Sequence, residues 1–317
     1  MRRQTGGAGG VRMFKARRLL GALAALALAA AASAQKAPES VDLSPRWEKD
    51  AEARYNYRAH STRTDRVPAM KAEQQQKTRQ EMRIRRKVLS TGPEGTDLEL
   101  VFERIVVVAM SGKMFIRCDS NEPVDPERAN SLDPVVRPAV NKPVRVRLGP
   151  DHRVLAIENL PTGVDADGNP TRLVVDEEMV RNSLAAMYSL EKTPPAARVG
   201  ERWTINESLP ASDAAELHIV HTRRLTAANE STATVESTAI ADVRAVGNSG
   251  ARPPLLVDFS CVTKHEWDLS AGRLRWMTLE QKVETHGVVR QMRSEHTSEV
   301  LITISLDGVE IPPKPNP

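Results

Sequence analysis

Residues 255–305 read LLVDFSCVTKHEWDLSAGRLRWMTLEQKVETHGVVRQMRSEHTSEVLITIS, and the fold turns on this stretch. It divides at Ser270-Ala271-Gly272 and at His286-Gly287 into three runs, 255–269, 272–286 and 288–305. β-Branched and apolar residues fill the runs, while small and polar residues fill the breaks. Long strands joined by tight turns make an antiparallel meander. Upstream, 201–206, 214–226 and 231–244 continue the pattern, with Ala227-Ala228-Asn229-Glu230 as a turn.

The first half reads the same way. Residues 52–64 and 76–90 are long polar strands, and in the second Met82, Ile84 and Val88 alternate with Arg83, Arg85 and Lys87. Alternation of period two means one packed face and one wet face. After the turn Thr91-Gly92-Pro93-Glu94-Gly95, Leu98–Phe102 and Ile105–Val108 form a more buried strand, and Ser111-Gly112-Lys113 turns it into Met114–Cys118. Residues 119–142 are a loop with one short helix. Val144–Leu148 and Arg153–Ile157 flank a hairpin turn, and 161–170 are a further loop. One helix stands out over 172–191. Leu173, Val180, Leu184, Met187 and Tyr188 recur at helical spacing, Asp176, Glu177 and Glu178 suit its N-terminal dipole, and Thr193-Pro194-Pro195 ends it. The expected fold is therefore mainly β: a large curved antiparallel meander sheet or open barrel with one main helix. It forms a single domain over 51–305, with two similar halves at 51–160 and 200–305.

The N-terminus sets the compartment. Arg17-Arg18 lead into an apolar run from Leu19 to Leu28, and Ala32-Ser33-Ala34 precede Gln35. A basic start, a short apolar core and a small-x-small exit define a secretory signal peptide over 1–34, cleaved between Ala34 and Gln35. The run falls short of the roughly twenty residues that a membrane-spanning helix needs. Met13 offers a second start. Residues 35–50 read as a polar tether and 306–317 as a Pro-rich tail. The leader holds six of the 45 basic residues and no acid, so the exported chain carries 39 basic against 41 acidic residues. No global positive field draws in nucleic acid, and 3% aromatic residues do not build a base-stacking platform.

The chemical motifs are incomplete. Asp165-Ala166-Asp167-Gly168-Asn169 begins like a calcium loop with Asp176 at its twelfth position, but Pro170 stands where such a loop needs glycine. His265-Glu266-Trp267-Asp268 lacks the second histidine of a zinc-protease helix. His218 and His221 point to opposite faces of a strand, and His286 and His296 are scattered. No metal, cofactor or catalytic residue is assigned. The basic run Arg79, Arg83, Arg85, Arg86 and Lys87 is the wet face of a strand. Only Cys118 and Cys261 are present. An oxidising compartment allows a disulfide between them, and two buried thiols are the other reading.

Four pieces taken together are Phe115-x-x-x-Asp119-Ser120, Pro143-Val144-x-Val146-x-Leu148-Gly149, Val199-Gly200-x-x-Trp203 and Gly272-Arg273-Leu274-x-x-Met277. In this order they resemble a family of exported bacterial proteins known only as a domain of unknown function. The resemblance covers about residues 50–305 and implies an all-β exported chain with no assigned activity.

These readings point to a non-catalytic envelope protein that holds an apolar ligand, such as a lipid or acyl chain, in a curved sheet. Met82, Ile84, Val106, Val108, Met277, Leu279 and Val283 are the expected inward residues. A module docking to another envelope protein is the alternative, and an enzyme with a scattered site is a third.

Overall fold

The computed structural model describes residues 40–124, 130–164, 170–171, 173–188, 196–212, 215–245, 255–289 and 292–313. The leader, the Ala34/Gln35 junction and the 165–169 part of the calcium-like loop lie outside the described residues, as does the Thr193-Pro194-Pro195 helix stop.

Twelve strands form one antiparallel sheet. In the first limb these are β1 (Glu52–Val67), β2 (Ala72–Gly92), β3 (Gly95–Ser111), β4 (Met114–Asp119), β5 (Pro143–Leu148) and β6 (Val154–Glu158). A separate two-residue pair, β7 (Gly163–Val164) and β8 (Pro170–Thr171), follows. The second limb is β9 (Arg202–Ser212), β10 (Ala215–Ala228), β11 (Thr232–Ala245), β12 (Leu255–Asp268), β13 (Arg273–Val289) and β14 (Met292–Leu306). The spatial order is β6-β5-β3-β2-β1-β14-β13-β12-β11-β10-β9, with β4 also on β3. The two limbs meet where β1 pairs with β14, and the sheet does not close.

The sheet curls around a helix. The short α1 (Asp133–Val136) lies in the β4–β5 loop, and the main helix is α2 (Glu177–Met187). Arg181 on α2 donates to the Val154 carbonyl on β6 at 3.0 Å. Ala185 and Ala186 on α2 share a cavity with Ile205 on β9. β6 and β9 are opposite edges, which in a flat sheet at about 4.8 Å per strand would lie about 48 Å apart. An 11-residue helix spans only about 16 Å at 1.5 Å per residue. An open barrel is the geometry that brings both edges to one helix. α2 is shorter than the expected 172–191 because Asp176 is its N-cap. The Asp176 carboxylate accepts the Met179 N–H at 2.8 Å, while Leu173 and Val175 are buried ahead of the helix.

Residues 40–50 are not a tether. Val41 and Ala197 exchange backbone hydrogen bonds, the Arg46 N–H donates to the Gly272 carbonyl, and the Asp50 N–H donates to that of Val88. Leu43 is fully buried, and the Trp47 ring packs on Tyr188 with centroids 4.8 Å apart. This strap and α2 fill the inside of the barrel. Two polar residues and a proline around Leu43 masked its role in the sequence.

Two further expectations are corrected. Val106 and Val108 pair with Glu81 and Arg79 and face outward, while Ile105 and Val107 face the core. A register shift at Glu103 reverses the side-chain alternation. Met82, Ile84 and Met277 are in the core as expected. Within the basic run, Arg79, Arg83 and Arg85 form ion pairs on the outer face, but Arg86 turns inward. It is 3% exposed, donates to the Tyr188 hydroxyl and stacks over Trp47.

The four spaced motif pieces have structural roles. Asp119 is buried between Arg104 and Arg117, and the Ser120 hydroxyl accepts the Ile105 N–H. Val144, Val146 and Leu148 are the buried face of β5. The Gly200 N–H donates to the Leu225 carbonyl. Gly272 sits at φ 55°, and the strap passes so close that a Cβ there would lie 2.5 Å from the Arg46 nitrogen.

Candidate functional site

A cavity of about 310 Å³ lies between α2 and the inner face of β9–β13. Its helix wall is Asn182, Ala185 and Ala186. Small side chains here hold the helix backbone close without filling the space. The sheet wall is layered by strand register. His265 on β12 and Met277 on β13 are paired at the deepest level. Thr263 and Leu279 form the next level, in line with Ser237 on β11 and Arg223 on β10. Above them lie Cys261, Ala239, His221 and Ile205, each paired with the next across the sheet. Glu207 stands at the rim, and its carboxylate is 3.3 Å from His221 Nε2.

The deep end carries buried polar side chains. His265 is 2% exposed, and neither ring nitrogen has a hydrogen-bond partner among the described residues. Burial, with a smaller contribution from the Arg223 guanidinium, pushes its pKa down to about 3. The ring is therefore a neutral imidazole at neutral pH, offering one N–H donor and one acceptor. Beyond Cys261 an apolar strip runs towards the other end of the strands. Ile219, Ala239 and Cys261 form a second core cluster with Leu217, Ala241 and Phe259 packed on it. Val283 shares that face through its pairing with Phe259.

The two cysteines are free and buried. Cys118 belongs to the main core on β4, and Cys261 belongs to the second cluster on β12. Five strands of the sheet order, β3, β2, β1, β14 and β13, stand between them. The thiol of Cys118 donates to the Asp133 carboxylate at 3.2 Å, and burial together with that carboxylate pushes its pKa up to about 12. Burial raises Cys261 as well. Neither thiol is poised as a thiolate nucleophile.

The histidines separate. His221 lines the cavity, whereas His218 hydrogen-bonds to Ser208, and His296 pairs with Asp65 on β1 at 2.7 Å. Among the described residues, no group of three His, Cys, Asp or Glu side chains is arranged to hold a metal. His265 appears in the sequence only as half of a broken zinc motif. Its burial follows from its place on the inner face of β12, which the broken motif does not reveal.

No family model and no curated protein matches the chain. Among solved structures, it is similar to a lipovitellin determined for its lipid–protein interactions, at 13% identity and a TM-score of 0.46 over 86% of this chain. The chain spans 26% of the length of that lipovitellin. It is also similar to an outer-membrane channel from Pseudomonas putida F1, at 8% identity and a TM-score of 0.25, over 83% of this chain and 97% of the channel. For OpdQ of Pseudomonas aeruginosa the values are 8%, 0.20, 80% and 98%. These likenesses concern the sheet alone.

Proposed function

We propose that this chain is an exported, non-catalytic envelope protein that binds an apolar or amphipathic ligand inside its open barrel. One observation carries the reading: the 310 Å³ cavity between Ala185 and Ala186 of α2 and the inner face of β9–β13. Its size is at the lower end of the range for small-molecule sites, about 300–1,000 Å³. The signal-peptide pattern over 1–34 supports export, and the spaced motif pieces support kinship with the exported family of unknown function.

The distribution of polarity favours a water-facing protein. A barrel that spans lipid presents an apolar band outward. Here the outer face of β1–β3 carries Arg54, Arg83 and Arg85 paired with Glu52, Glu103, Glu99 and Asp307, while exposed apolar residues such as Ile240, Val262 and Leu301 stand on β11, β12 and β14. No described helix is long and apolar enough to cross a membrane. The raised thiol of Cys118 and the neutral, isolated ring of His265 support a binding role over a catalytic one.

The test is native mass spectrometry of protein exported through its own leader and purified without detergent, followed by organic extraction. A bound mass recovered as a lipid or fatty acid supports the reading. A protein that stays free of ligand and takes up no acyl compound refutes it. The second reading, docking to another envelope protein, rests on the unclosed sheet, in which β4, β6 and β9 each have one side unpaired among the described residues. Co-purification of a defined envelope partner that is lost on substituting proline into β9 would favour it.

A further inference from the structure

Among the described residues, four large apolar side chains are more than 60% exposed, and three of them stand on two neighbouring hairpin tips. Met70 is 61% exposed in the turn Pro68–Met70 between β1 and β2. Met114, at 61%, and Phe115, at 62%, open β4 just past its turn from β3. Met110, 41% exposed, is the cross-strand partner of Phe115, and Lys77 on β2 is the next partner in that row. Phe102 and Phe259, the other described phenylalanines, pack into the two cores. We propose that these two tips dock the protein onto an anionic lipid surface, with the apolar side chains entering the interface and the lysines resting on the headgroups. The proposal does not depend on what the cavity holds.

Both tips project from the same end of the sheet. Val67 pairs with Ala72 across one turn, and Gln76 pairs with Ser111 beside the other. The strap passes Val88 and Gly272 at the opposite end. Towards the tips, the last buried residue of β2 is Met82, and positions 72–79 are exposed on both faces. The β1–β2 ribbon therefore stands clear of the core. Lys71 is five residues beyond Gln76, about 17 Å at 3.4 Å per residue. Two strand spacings, about 10 Å, separate the hairpins. Both tips meet one plane when the strands run oblique to it.

Charge identifies the surface. Segments 66–77 and 110–115 hold Arg66, Lys71, Lys77 and Lys113 against one acid, Glu73. All four cations are exposed, and none has an ion pair among the described residues. The exported chain as a whole is slightly acidic, with 39 basic against 41 acidic residues. A local cationic surplus beside exposed Met and Phe suits a negatively charged bilayer, where each Lys or Arg near the surface contributes and its stem lies along the apolar layer. Arg66–Lys71 and Met110–Phe115 make twelve residues, against about 20–30 a side in a stable protein interface. Small convex tips need no matching shape when the partner is fluid.

The experiment measures flotation of the full exported chain with vesicles of phosphatidylcholine alone and with about a third phosphatidylglycerol. Binding should be at least about tenfold stronger to the anionic vesicles and should weaken as salt is raised. Substituting Lys71→Gln, Lys77→Gln and Lys113→Gln together should remove that preference. Met114→Ser with Phe115→Ser, and separately Met70→Ser, should each weaken binding several-fold. Ile240→Ser, at an equally exposed apolar position on β11, should leave it unchanged. All these sites are exposed, and urea unfolding checks that each variant folds like the parent. No binding, equal binding to both vesicles, or losses no greater at the tips than at Ile240 would overturn the proposal.

Discussion

Replacing His265 with phenylalanine should stabilise the protein, and the gain should grow in acid. At pH 7 the native state holds a neutral imidazole whose two nitrogens have no partner among the described residues. Stranding a buried polar group costs about 1–3 kcal/mol, and phenylalanine removes that cost while keeping a planar ring beside a cavity that can take the added volume. The acid effect follows from linkage. The ring titrates at about 3 in the fold and at the ordinary 6.5 when unfolded. Between those values the unfolded chain binds more protons than the native one, so the wild-type protein loses stability as pH falls through this window. From pH 6.5 to pH 5 the loss is about 2 kcal/mol at about 1.4 kcal/mol per unit. The variant has no imidazole to protonate at this position, whereas Arg223, His221 and Glu207, which line the same cavity, are common to both proteins. Urea unfolding of both proteins at pH 7, 6 and 5 reads the difference directly. It should widen by about 2 kcal/mol between pH 7 and pH 5. Parallel curves would mean that the ring is hydrated or paired in solution, and the reading of a buried, unpartnered imidazole would be wrong.

Leu43→Ala should lower stability by about 2–5 kcal/mol in urea unfolding, since the side chain is fully buried in the main core rather than in a loose tether. A loss below about 0.5 kcal/mol, as for an exposed site, would remove the strap. Both cysteines should resist a thiol reagent in the native protein and both should react in denaturant without reductant, because each is buried and free. Failure to label in denaturant until a reductant is added would show a disulfide.

The strands were legible because their alternation and turns are local signals. The runs 231–244 and 272–286 coincide closely with β11 and the body of β13. What escaped was set by distant contacts. Val106 and Val108 read as inward from the sequence, but a single extra residue at Glu103 shifts the alternation and puts Ile105 and Val107 inside instead. Arg86 falls on the same alternation as Met82, Ile84 and Val88 but reads as exposed within a run of basic residues; Trp47 and Tyr188, remote in sequence, accommodate it inside. The strap was hidden by its polar composition. The cavity is half legible in the sequence, since Met277, Leu279 and Val283 read as inward residues of one strand. Its polar base was not, because Arg223, Ser237 and His265 meet only when three strands fall into register.

The junction of β1 and β14 bears on how the chain can be cut and how it must fold. Asn56 and Asp307, 251 positions apart, are hydrogen-bonded there. The last strand is therefore a keystone in the middle of the sheet rather than a slat at its rim. Deleting it would leave two long unpaired edges facing each other inside the barrel, where self-association is most readily templated. The limbs can each zip up locally, but their union waits until the final strand emerges. Contacts of such long range slow folding, so the union of the two limbs is the late step in forming the sheet.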